Sequence, residues 1–74
     1  MLAAVIQRAQ QTSDSTGQPH TVLNLNTAGA AMYVIRDYPG EETLARSAVR
    51  NGPRFLVAVC KPGEVPDMRG GYTL

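Results

Sequence analysis

Three short runs rich in branched and aromatic residues constrain this chain more than anything else in it. They are residues 20–26 (His-Thr-Val-Leu-Asn-Leu-Asn), residues 31–38 (Ala-Met-Tyr-Val-Ile-Arg-Asp-Tyr) and residues 55–60 (Phe-Leu-Val-Ala-Val-Cys), the only stretches able to build a sheet. The first two are separated by Thr27, Ala28, Gly29 and Ala30, a four-residue connection whose glycine can take a positive φ, so they read as a β-hairpin. In the first strand Thr21, Leu23 and Leu25 share a face, and that face is expected to be the buried one. The second strand is apolar on both faces, as in a central strand or one covered by a partner.

Helical periodicity fills the rest. Leu2, Val5, Ile6 and Ala9 recur at i, i+3, i+4 and i+7, which predicts an amphipathic helix from residue 2 to about residue 15. Gly17 and Pro19 stop it, and its second half, residues 11–15, is poor in helix formers and expected to fray. A second helix is predicted over residues 41–51. Leu44, Ala45, Ala48 and Val49 form its apolar face, Glu41 and Glu42 sit at its positive end and Arg46 and Arg50 toward its negative end. Asn51, Gly52 and Pro53 end it.

The element order α-β-β-α-β defines the expected fold class, α+β. It is a single small domain over residues 1–63, with a three-stranded sheet and two helices on one face. The second and third strands can be parallel neighbours joined by a right-handed crossover, with an antiparallel arrangement as the alternative. Residues 64–74, with Pro66 and the Gly70-Gly71 pair, read as an extended or flexible C-terminal tail.

At 74 residues the chain has a thin core, so pairing with a second copy or a partner would help it. A homodimer would use the third strand if that strand lies at an edge. The net charge of +1 argues against a strongly basic nucleic-acid binder and an acidic nucleic-acid mimic alike. One cysteine cannot form an internal disulfide. The apolar patch at residues 2–6 is too short for a signal peptide, and no run approaches the roughly 18 residues that span a membrane, so the reading is cytoplasmic with no membrane partner.

Chemistry is sparse. His20 and Cys60 are the only soft metal ligands, against about four in a structural zinc site, so no metal is expected. The same pair as thiol nucleophile and base is weighed against Cys60 as a small hydrophobe in an apolar strand, and the second reading is preferred. The glycines stand singly at turns, without the Lys and Ser/Thr of a phosphate loop, so no cofactor is implied. Glu41 and Glu42 diverge by about 100° on a helix and suit the dipole better than acid/base work. The chain therefore reads as non-enzymatic.

The segment from Leu44 to Lys61 carries Arg46, Arg50, Arg54 and Lys61 and no acidic residue. If these project together they form an edge for phosphates or for acidic side chains of a partner. The competing reading pairs Arg46 with Glu42 at i,i+4 and gives Arg50 to the helix end. In the tail, Val65, Met68, Tyr72 and Leu74 are spaced apolar residues that could dock in a groove or add a strand to a sheet, so Tyr72 joins the candidate partner-binding set.

A short amphipathic helix followed by Thr16-Gly17-Gln18-Pro19-His20 and a strand with a hairpin resembles small accessory proteins of bacteriophages and other mobile elements. The resemblance covers the first half of the chain. It implies a binding protein of phage or bacterial origin that blocks a host protein or complex without catalysis, as anti-CRISPR inhibitors do. It carries over no functional residue. A small nucleic-acid-binding or regulatory protein that uses Arg46, Arg50 and Arg54, as a dimer, is the alternative.

Overall fold

The computed structural model describes residues 1–25 and 29–71. The chain folds as α1 (Leu2–Thr16), β1 (His20–Asn24), β2 (Tyr33–Asp37), α2 (Glu41–Asn51), β3 (Leu56–Cys60) and β4 (Asp67–Met68). The α+β class and the two helices agree with the sequence. The sheet has four strands in the order β2-β1-β3-β4, and every neighbouring pair is antiparallel.

This order corrects the expected topology. β2 and β3 run parallel to each other but are not neighbours, because β1 lies between them and pairs with both. The fourth strand comes from residues 67–68, inside the segment that composition alone reads as a tail. β3 is consequently an inner strand, and β2 is an edge. The homodimer edge assigned from sequence to the third strand is therefore occupied by β4.

Register decides which residues share a face. His20, Val22 and Asn24 lie on the same side as Tyr33 and Ile35 of β2 and Ala58 and Cys60 of β3. On this side Val22, Val57, Ala58 and Cys60 form the core with Ala9 of α1, and half-buried Leu2, Val5, Ile6, Tyr33 and Ile35 pack around them. β3 advances two residues, Leu56 to Ala58, while β1 advances one, Leu23 to Val22. Val57 is thus the extra residue of a β-bulge, which re-aims its side chain into this core. The expected Leu face of β1 is not the main one: Thr21 is buried, Leu23 half-buried and Leu25 43% exposed.

The opposite face is covered as well. Thr21 and its partner Val59 point away from α1, yet both are fully buried. Asp67 pairs with Val59, and the same alternation puts Arg69 and Tyr38 on this face. Arg69 grips Glu41 there, which places the first turn of α2 over this face, and Leu44 is buried one turn later. The helices therefore do not share a face. A β2–α2–β3 connection that must pass over β1 has the free side of the sheet to cross, since α1 already covers the other.

The second half of α1 does not fray, although its sequence is a poor helix. Ser13 Oγ donates to Cys60 O (2.7 Å), Gln10 Nε2 to Lys61 O (2.8 Å) and Gly63 N–H to Asp14 Oδ1 (2.8 Å). These polar ties to the end of β3 hold the last turns where apolar spacing is absent. Gly17 closes the helix in the left-handed region (φ 73°) with its N–H on Ser13 O (2.9 Å).

Among the described residues no helix is long and apolar enough to cross a membrane.

Candidate functional site

α2 has an inward and an outward side, and this division shapes the candidate site. Leu44 is buried and Ser47 and Ala48 are half-buried, while Ala45, Arg46, Val49 and Arg50 are exposed. The four exposed residues line one open surface depression. Val49 is 88% exposed, an apolar residue left in water between arginines. The apolar face expected from sequence thus splits: Leu44 and Ala48 turn inward, Ala45 and Val49 outward.

Arg46 Nη2 reaches Glu42 Oε1 at 3.2 Å across an i,i+4 pair, as the competing reading anticipated. Both groups are largely exposed, so this pair leaves the arginine free to exchange partners at little cost. Arg50 sits in the last turn of α2 and Arg54 in the turn before β3, both exposed, and neither makes an ion pair among the described residues. Arg46 and Arg50 are therefore brought together, with Arg54 following the helix end.

Lys61 is set apart from Arg54 by the whole of β3, whose five residues at roughly 3.3 Å each span about 16 Å. Its Nζ sits 5.8 Å from the Tyr38 ring centroid, within the range of a cation–π contact. Tyr72 lies outside the described residues.

A second cluster was not apparent from sequence. Arg69 donates to both oxygens of Glu41 (2.8 Å each) and to Asp67 Oδ2 (3.0 Å from Nε), while Tyr38 O–H donates to Glu41 Oε2 (2.6 Å). The Arg69 guanidinium first, and the Tyr38 hydroxyl second, lower the Glu41 carboxyl from its ordinary 4.5 to about 2. The same contact raises the Tyr38 hydroxyl and the Arg69 guanidinium above their ordinary values. A bidentate arginine–carboxylate pair has directional strength. Here it ties the residue after β4 to the first turn of α2, a structural clasp with its donors and acceptors already used.

A third cluster has the outline of a hydrolytic triad. Ser13 Oγ is 3.0 Å from His20 Nδ1, and His20 Nε2 is 3.7 Å from Asp37 Oδ1. The hydrogen bonds assign it another role. Nδ1 lies 2.8 Å from Gln18 O, a pure acceptor, so Nδ1 carries the proton and cannot take one from Ser13. The Ser13 hydroxyl proton is directed at Cys60 O, and Ser13 is fully buried. Cys60 is equally enclosed, and burial pushes its thiol up, away from the reactive thiolate. The cluster fastens α1 to β1 and β3.

Comparison with protein families, curated proteins and solved structures finds no match to this chain. Among the described residues no group of three or more His, Cys, Asp or Glu side chains is arranged to hold a metal ion. The outward side of α2 combines an exposed apolar centre, Ala45 and Val49, with two arginines one turn apart, and Arg54 lies beyond the helix end.

Proposed function

We propose that this chain is a non-enzymatic binding protein that docks the outer side of α2 against an acidic surface of a partner protein. The observation that carries this reading is Val49, left exposed between Arg46 and Arg50 with Ala45 one turn before it. An apolar centre with a charged rim is the anatomy of a protein interface: desolvating the centre contributes affinity and the rim selects the partner. A phosphate backbone would use the arginines but gain little from Val49. The likeness of the first half to phage accessory proteins supports a host protein or complex as the partner, and inhibition of a host defence complex as the outcome.

The test is capture from a bacterial lysate treated with nuclease, comparing the wild type with Val49→Asp and Arg50→Glu. The reading expects a defined protein retained by the wild type and lost with either variant, with each variant as stable as the parent. Retention that both variants leave unchanged would overturn it. Retention that disappears with nuclease and falls steeply with salt would favour the nucleic-acid alternative.

A further inference from the structure

The free edge of β2 is the one long sheet edge among the described residues, since β4 at the other side is two residues long. Its polarity can be read from the hydrogen bonds that bracket the β1–β2 ladder. Leu25 N–H donates to Met32 O (2.8 Å) and Tyr38 N–H to Pro19 O (3.2 Å). With the observed register these fix Val34 and Arg36 as the residues bonded to β1. The backbone groups of Tyr33, Ile35 and Asp37 therefore point outward. Of these, Ile35 O is occupied by Arg36 Nη1 (3.0 Å), an exposed side chain that can swing aside.

We infer that this edge pairs antiparallel with the same edge of a second copy, giving a continuous eight-stranded sheet. The inference is independent of the partner proposed for α2. Three observations carry it. The edge is apolar on both faces: Tyr33 and Ile35 on the α1 side and Val34 on the other are only half-buried, beside Met32, itself half exposed. Such an edge is a template for another strand.

Charge selects the antiparallel, self-complementary arrangement. Both ionic residues of β2, Arg36 and Asp37, sit at its C-terminal end. A parallel docking would set Arg36 on Arg36 and Asp37 on Asp37. In the antiparallel register centred on Ile35, Asp37 faces Tyr33 of the second copy and Arg36 faces Val34, so no like charges oppose.

The helices also fit. α1 lies over β1 with β2 and β3 on its flanks. In the pair, β1 and its counterpart are three strand spacings apart, roughly 14 Å. That exceeds the 8–10 Å between packed helices, leaving room between the two α1 helices for a layer of side chains. Half-buried Leu2, Val5 and Ile6 are available to fill it. A two-fold pairing consumes both β2 edges and therefore closes at two copies.

The experiment is light scattering with amide hydrogen exchange on the intact chain over a range of concentrations. The expected result is a mass rising to twice 7.9 kDa, with the amides of Tyr33, Ile35 and Asp37 gaining protection in step with it. Asp37→Pro removes an outward N–H, leaves the backbone bonds of Val34 and Arg36 to β1 in place and gives up the 3.7 Å contact of Asp37 with His20. It is expected to weaken the pair roughly tenfold or more relative to Asp37→Ala, which gives up that contact alone. A chain that stays at 7.9 kDa throughout would overturn the inference, as would a dimer in which those three amides still exchange freely.

Discussion

Ser13 shows how one side chain can organise a helix end. Its hydroxyl donates to Cys60 O and touches His20, both buried, so Ser13→Ala takes the side-chain donor from Cys60 O and leaves His20 Nδ1 with Gln18 O alone. A loss of roughly 1–3 kcal/mol is expected, which for a chain of this size lowers the melting temperature by about 5–20 °C. A thermal melt within a degree of the parent would show that the hydroxyl is not needed there. Gly71 is a second single-residue constraint. A side chain at this buried position would collide with the Leu56 backbone carbonyl, so Gly71→Ala is expected to destabilise, while Ala at solvent-facing Ser15 is not. Glu41 makes a prediction in pH. Its carboxyl is depressed to about 2, so the stability it contributes is fully present above pH 4.5 and disappears as pH falls through about 2. Following the Glu41 carboxyl by NMR should give a midpoint near 2, and Arg69→Gln should return it toward 4.5; an unchanged midpoint in that variant would remove Arg69 as the main cause.

At the scale of elements, periodicity located both helices and the three longer strands because their signals are local. α2 matches its predicted bounds, since Glu41 and Glu42 at one end and Gly52 at the other punctuate it clearly. What periodicity could not reach were the long-range polar ties. Gln10, Ser13 and Asp14 look like the weak half of a helix until the end of β3 and the turn after it are set beside them. β4 escaped for a related reason: two residues flanked by Pro66 and two glycines carry no alternation, and Arg69 becomes an anchor only once Glu41 is known to be within reach. Of the candidate site, Arg46 and Arg50 were legible as neighbours one turn apart. The separation of Lys61 was not, because charge counting ignores that β3 is extended. Removal of residues 64–74 follows from these ties. It takes away β4 and the Arg69 clasp, so the truncated chain is expected to melt well below the intact one, and an unchanged melt would mean that β4 and Glu41 contribute nothing.

For the whole molecule, the two sides of the sheet have different duties. α1 seals one face through a small apolar core and a polar fringe, whereas α2 is tied at its first turn by the Glu41–Arg69 pair, buries Leu44 and leaves Ala45 and Val49 in water. A surface reserved for a partner must be dispensable for folding, and that is the claim on which the proposed function stands. Thermal unfolding of Leu44→Asp beside Val49→Asp tests it most directly. Leu44→Asp should cost roughly 3 kcal/mol or more and lower the melting temperature by more than about 10 °C, while Val49→Asp should melt with the parent. If Val49→Asp is destabilised as strongly as Leu44→Asp, the outer side of α2 is part of the core, and the binding surface proposed for this protein does not exist.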